Sequence, residues 1–325
     1  MSKDDAIGGY FELELRPGKE FHAKAIALNS ARNCLEYVLL ARKYRKVYIP
    51  RYTCEVVLEP FHRNNIAYEF YSVNMQLEPS DYPELAADEA FLYTNYFGLK
   101  QEAVEKIVAI YGKQTIIDNA QAFYAPPLPG IDTFYSPRKF FGVADGGYLY
   151  TDAPLHLDIP QAVSWNRMQH LLRRIDEGAE AGYIDFLTNE KKLSSESLKQ
   201  MSSLTHTILK NVDYEKTKAN RISNYRMMAD KLDKSNTLSF SLSDACVPMI
   251  YPYMTTNLKL REKLISSRIY IATYWPNVLT SNSTDSTEYL LAKYILPIPI
   301  DQRYQKRNIQ KILRSINTNL FTIVK

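Results

Sequence analysis

The first 150 residues of this sequence predict an α/β protein built on a mostly parallel sheet, and three observations carry that prediction. Short, nearly continuous apolar runs alternate with stretches of helical spacing, the pattern of a sheet covered on both faces. Polar residues and glycines gather where the apolar runs end, which in such sheets is where ligands bind. The chain has 325 residues, enough for about two domains at ~150 residues each, and its rhythm changes beyond residue 160.

The elements follow in order. Lys46–Pro50 reads as a strand, and a helix is predicted from about Cys54 to Asn64. Ala67–Val73 is rich in aromatic and β-branched residues and reads as a second strand. Ala90–Phe97 is a third, ended by Gly98. Between Gln101 and Tyr111, residues Val104, Ile107, Val108 and Tyr111 share one face at helical spacing. Thr115–Asp118, Thr133–Ser136 and Tyr148–Tyr150 complete the strands of the first half. From Pro160 to Asp233 the chain reads as mainly helical and charged. Mixed structure returns after Ser235, with strands at Thr237–Leu242, Val247–Tyr253, Tyr270–Tyr274 and Ile295–Ile298. Helices at Asn257–Ser267, Ser286–Lys293 and Gln305–Ile316 lie among them. This divides the chain into a large α/β domain over residues 1–214, with an N-terminal arm, and a smaller C-terminal α/β domain over 215–325.

Composition narrows the function classes. Apolar residues are 46% and charged residues 23% of the chain, which excludes a disordered or fibrous class. No run of eighteen apolar residues occurs, so no membrane-spanning helix is predicted, and Met1–Asp5 does not open a secretory signal. Cys34, Cys54 and Cys246 stand far apart. They suit a reducing cytoplasm better than a disulfide framework or a zinc site. A net charge of +4 gives no reason to expect a nucleic-acid partner. The five histidines show no metal-ligand spacing and are read as structural or surface residues.

Three segments carry chemistry. Asn29 or Ser30 caps a helix running to Leu40. The free N–H groups of Ser30, Ala31 and Arg32, with the helix dipole, then form an anion site. Asp118 ends an apolar strand, with the Gln121 amide three residues on. Lys139 lies between the strand-end Ser136 and the pair Phe140 and Phe141, ahead of Asp145-Gly146-Gly147. Apolar neighbours and the like charge of Arg138 favour its neutral, nucleophilic form. A helix N-terminus for a phosphate, then a strand-end carboxylate, then a lysine is what a pyridoxal phosphate site requires. The aldehyde needs an amine, the pyridine nitrogen a carboxylate, and the phosphate backbone donors and hydroxyls. Arg167, His170, Arg173 and Arg174 repeat along one helix as a solvated face or a diphosphate-binding stripe. Tyr270–Pro276 is aromatic enough for core or for a pocket wall.

With these residues in place, the sequence resembles the DegT-type (StrS-type) sugar aminotransferases, pyridoxal-phosphate enzymes of the aspartate aminotransferase fold. Asp118-Asn119-Ala120-Gln121 matches their strand-end motif, and Ser136, Lys139 and Asp145-Gly146-Gly147 their lysine segment. Pro50-Arg51-Tyr52-Thr53 and Asn95-Tyr96-Phe97-Gly98 echo two further stretches. The resemblance covers residues 24–150 well and the rest in outline. It implies that Lys139 is the catalytic residue and binds the cofactor covalently, that Asp118 pairs with the pyridinium nitrogen, and that Gln121 lies near the phenolic oxygen. Ser30, Ala31 and Ser136 would bind the phosphate. It also implies an amino donor, a keto-sugar carried on a nucleotide as acceptor, and a homodimer. The chain departs from the family at Cys54, where an aromatic residue commonly covers the cofactor ring, and Tyr52 is the expected substitute. It departs again at Gly182–Phe186, where the family's partner-subunit clamp would lie, and at the proline-rich loop Pro126–Pro129. These departures keep a second reading open, a non-catalytic descendant with a decayed cofactor pocket.

Overall fold

The computed structural model describes residues 7–317. Its centre is a seven-stranded sheet of β1 (Ile26–Leu28), β2 (Lys46–Pro50), β3 (Ala67–Tyr71), β4 (Glu89–Thr94), β5 (Thr115–Asn119), β6 (Asp132–Tyr135) and β7 (Gly147–Tyr150). The strand order is β1-β7-β6-β5-β4-β2-β3. Strands β3, β2, β4, β5 and β6 are mutually parallel, whereas β7 and β1 run antiparallel at one edge. The order reverses between β2 and β4, and such a reversal opens a crevice at the carboxyl ends of the strands. Residues of β4 and β5 are buried throughout, as continuous apolar strands require.

Helices cover both faces. α1 (Ala31–Arg42) and α2 (Glu59–Asn64) lie over one core, in which Leu35, Val38 and Leu39 meet Ile49, Leu92 and Ile116. α3 (Gln101–Tyr111) buries Val104 and Ile107 in the other. Beyond β7 come α4 (Gln169–Asp176), α5 (Tyr183–Ser195), α6 (Ser203–Lys210) and the long α7 (Tyr214–Leu232). The C-terminal part holds a two-stranded antiparallel sheet, β8 (Ile250–Met254) with β9 (Ile295–Pro299). Around it lie α8 (Lys259–Ser266), α9 (Pro276–Ser281), α10 (Thr287–Tyr294) and α11 (Lys306–Asn317).

Two expected strands are absent. Thr237–Leu242 runs beside β8 without joining it. Asn236 takes the place of a ladder there, its amide donating to the Pro252 carbonyl at 2.9 Å and accepting from the Met254 N–H at 2.9 Å. Tyr270–Tyr274 is irregular, its two ends turning different ways: Tyr274 stacks on Phe97, whereas Tyr270 is exposed and its hydroxyl donates to Glu180. The helix expected from Cys54 breaks into a 3-10 turn (Glu55–Val57) and α2, with Pro60 in the first turn of α2. β1 and α9 were not foreseen, being three and six residues long.

Candidate active site

The helix end comes first. Ser30 caps α1, and its hydroxyl accepts from the Asn33 N–H at 3.2 Å and contacts the Asn33 side chain. That hydroxyl is therefore occupied by its own helix, and Ser30 and Ala31 offer the crevice their backbone. β7 fixes this backbone in space. A Cβ on Gly147 would lie 2.5 Å from the Ser30 carbonyl and 2.7 Å from the Ala31 nitrogen, so only glycine admits the contact. Gly146 just before it has φ +122°, a conformation open to glycine. Asp145 is fully buried and accepts the Ser202 hydroxyl at 2.8 Å and the Ser202 N–H at 3.0 Å, with a further contact from Thr205. The Asp-Gly-Gly run thus ties the start of α6 to the start of α1.

The sheet supplies the next groups. Asp118 near the end of β5 is 6% exposed and accepts the Ala120 N–H at 2.8 Å. Burial raises its pKa, and the Lys139 ammonium and the Ala120 N–H oppose that rise. Gln121 uses its carbonyl oxygen to accept the Phe97 N–H at 2.8 Å, which leaves its buried amide nitrogen without a partner. The Thr94 hydroxyl, on the strand residue registered against Asp118, is buried beside that carboxylate and helps to hold its pKa down. Ser136 directly follows β6, and its hydroxyl does not cap the 3-10 turn that follows.

These groups converge on a cavity of about 210 Å³ lined by Ser30, Ala31, Asp118, Gln121, Ser136 and Lys139. Six of the seven expected site residues therefore share one wall system. Lys139 is itself exposed, standing at the mouth. Tyr52 is the exception, and the expectation that it covers the cofactor ring is corrected. It is fully buried and does not line this cavity, being packed against Tyr96 and edge-on to Trp275 at 5.0 Å, and its backbone carbonyl accepts from the Tyr96 hydroxyl at 2.8 Å. The aromatic wall is instead Tyr274 and Trp275 from the C-terminal part. Sequence reading singled out their segment without deciding between core and pocket.

Three charged wall residues were missed as site groups. Arg32 pairs with Glu59 at 2.7 Å, and Arg138 pairs with Glu190 of α5. Only proximity in the fold reveals Glu190, since α5 lies fifty residues from the lysine segment. The basic stripe does not form. Arg167 turns inward to within 3.8 Å of Asp145, and Arg173 is neutralised by Glu177 and Asp185. His22 is a buried structural residue, with a ring nitrogen 2.7 Å from the Phe123 carbonyl and burial holding its pKa down at about 4. Among the described residues no group of three His, Cys, Asp or Glu could hold a metal ion.

The fold, a mostly parallel sheet with an antiparallel edge and a helix N-terminus at its crevice, is similar to that of solved sugar aminotransferases. The chain is similar to DesV from S. venezuelae, solved with a ketimine intermediate, at 15% identity over 92% of this chain and 85% of that one, TM-score 0.60. It is similar to a DegT DnrJ EryC1 StrS aminotransferase from Brucella abortus at 15% identity over 91% and 85%, TM-score 0.59. NtdA from Bacillus subtilis, with the cofactor PMP bound, matches at 14% identity over 90% and 72%, TM-score 0.64. At these identities the likeness is one of fold. No family model matches the sequence, and no curated protein matches it.

Proposed function

We propose that this protein is a pyridoxal-phosphate-dependent aminotransferase that passes an amino group from an amino-acid donor to a nucleotide-linked keto-sugar. The observation that carries the reading is the meeting of Asp118, Gln121, Ser136 and Lys139 with the start of α1 in one cavity. The polar groups fit the cofactor. One buried donor, the Gln121 amide nitrogen, lacks a partner, and such a group costs stability until a ligand satisfies it. Bound there, pyridoxal phosphate supplies an electrophilic aldehyde carbon and an electron-accepting ring.

The chain's own residues then have distinct tasks. The first-turn N–H groups of α1 and the Ser136 hydroxyl bind the phosphate dianion, favoured by the helix dipole. Asp118, a buried carboxylate in need of a cation, holds a proton on the ring nitrogen. The Gln121 amide nitrogen donates to the phenolic oxygen. Lys139 Nζ would hold the cofactor and, as a free amine, would carry the proton removed from the donor's α-carbon. Trp275 and Tyr274 exclude water from the ring face.

The protein is proposed to act in the cytoplasm as a homodimer, with the domains divided at residues 214 and 215. Exposed Leu172, Ile175, Tyr183, Ile184 and Phe186 on α4 and α5 support a subunit contact there. Among the described residues no helix is long and apolar enough to cross a membrane.

Titration of the purified protein with pyridoxal phosphate tests the reading. A saturable absorbance change is expected in the wild type and its loss in Lys139→Ala. No saturable change in the wild type would overturn the enzyme reading. That result would favour a non-catalytic descendant, which Glu190 supports by bringing a carboxylate to the same cavity.

A further inference from the structure

The wall of the Lys139 cavity that is suited to an anion already carries one. Glu190 of α5 lines it together with Ser30, Ala31, Ser136 and Arg138, and its carboxylate accepts from the Arg138 guanidinium. Contacts along α5 keep the carboxylate there. The Asn189 amide donates to the Ala144 carbonyl at 2.9 Å, and Leu193 is fully buried. Just past the helix, the Glu196 carbonyl accepts from Arg63 of α2 at 3.3 Å, and Arg63 also pairs with Glu36 of α1 at 2.7 Å. Glu190 grips Arg138 through one nitrogen, Nη2, whereas the Arg138 Nε is buried without a partner. A guanidinium bound along one edge by two oxygens is held harder than this. In the same wall the Gln121 amide nitrogen, on a residue 1% exposed, also lacks a partner, which marks the cavity as one that takes a ligand. A phosphate ester is roughly doubly charged at neutral pH and offers three acceptor oxygens. It can engage the first-turn N–H groups of α1, the Ser136 hydroxyl and Arg138 at once, where Glu190 engages Arg138. Two anions at one low-dielectric wall repel, so both cannot stay.

We propose that Glu190 is a built-in competitor for the phosphate position, and that a phosphate ester enters the cavity by displacing this carboxylate from Arg138. The proposal deepens the aminotransferase reading, on which it rests for the place of the phosphate, by adding a control on cofactor uptake. Loading is then an exchange of anions, and it loosens α5 at Glu190. The competition acts on the phosphate alone, so a ligand with the same ring and no phosphate does not feel it.

Calorimetric titration of the full chain with pyridoxal phosphate, pyridoxal and inorganic phosphate tests this. Glu190→Gln keeps the side chain's size and removes its charge. It is expected to bind pyridoxal phosphate and inorganic phosphate about 10- to 100-fold more tightly than the wild type, with pyridoxal unchanged. Glu177→Gln, which removes an exposed carboxylate paired with Arg173, is expected to match the wild type. A second measurement needs no variant: inorganic phosphate is expected to speed amide hydrogen exchange in residues 183–195 of the wild type, and pyridoxal is not. The proposal is overturned if Glu190→Gln binds the phosphate ligands no more tightly, if pyridoxal gains as much, or if phosphate leaves α5 exchange unchanged. A gain for inorganic phosphate in Glu190→Gln, with no titration by pyridoxal phosphate that depends on Lys139, upholds the role of Glu190 and fells the cofactor reading. A wild-type titration lost in Lys139→Ala, with no gain in Glu190→Gln, does the reverse.

Discussion

The floor and the cover of the Lys139 cavity are built on different principles. The floor is made of strand ends and one helix start: Thr94 of β4, Asp118 of β5, Ser136 after β6 and Ala31 of α1. Thr94 and Asp118 hang from paired strands, Ser136 directly follows one, and Ala31 follows the Ser30 bridge to Gly146, so the sheet sets their positions. The cover is the irregular stretch carrying Tyr274 and Trp275, held mainly by side chains. Arg261 donates to the Ala272 carbonyl at 2.7 Å, and Asn277 of α9 donates to the Thr53 carbonyl at 3.0 Å. Side-chain tethers open more readily than a sheet. The difference assigns invariant chemistry to the floor and substrate-dependent closure to the cover.

The comparison can be broken from its strongest side first. Asp118→Ala removes the floor carboxylate proposed to hold the ring nitrogen, and amino transfer is expected to fall roughly 10²–10³-fold, read as single-turnover rates. Gly147→Ala forces a Cβ against the Ser30 and Ala31 backbone. A loss of about 1–3 kcal/mol in stability is expected from such overpacking, together with weaker binding of pyridoxal phosphate than of pyridoxal, which lacks the phosphate. Asn277→Ala cuts the tether between cover and floor. It is expected to cost about 1 kcal/mol, seen as faster hydrogen exchange confined to residues 270–282, with cofactor affinity kept. Equal loosening of the β4 and β5 amides would show that cover and floor are one unit.

The smallest effect tests the cost of the floor's chemistry. Burial raises the Asp118 pKa above its ordinary value of 3.8. Below that value the side chain is neutral in the folded and unfolded chain alike, and burial costs nothing through charge. As pH climbs through the raised value the unfolded chain ionises more readily, so stability is lost. Asp118→Asn avoids this loss and can still accept the Ala120 N–H. In the absence of cofactor it is expected to be more stable than wild type at neutral pH in urea unfolding. The gain is expected to close as pH falls toward 3.8.

Much of the floor was legible in the chain. Apolar runs ending in Asp118 and Ser136, and a serine cap before α1, locate three walls by local rules of strand and helix formation. The Tyr52 expectation failed for a reason outside those rules. The Tyr52 ring packs between Tyr96 and Trp275, residues far from it in the chain. Thr237–Leu242 and Tyr270–Tyr274 have the composition of strands, but a strand also needs a free neighbour. Asn236 had already claimed the edge of β8, and the Tyr274 ring had found Phe97.

By itself the amino-acid sequence determined the alternation of strands and helices, the glycines at positions 146 and 147, and the order of anion site, carboxylate and lysine. Those depend on periodicity and backbone freedom, which act over a few residues. The tertiary structure decided that Trp275 and not Tyr52 faces the cavity, that Glu190 and Arg138 meet beside the lysine, and that Arg221 lies buried against the Met249 carbonyl and the Phe140 ring. These are outcomes of packing between segments far apart in the chain, where burial and charge depend on neighbours that no local pattern names.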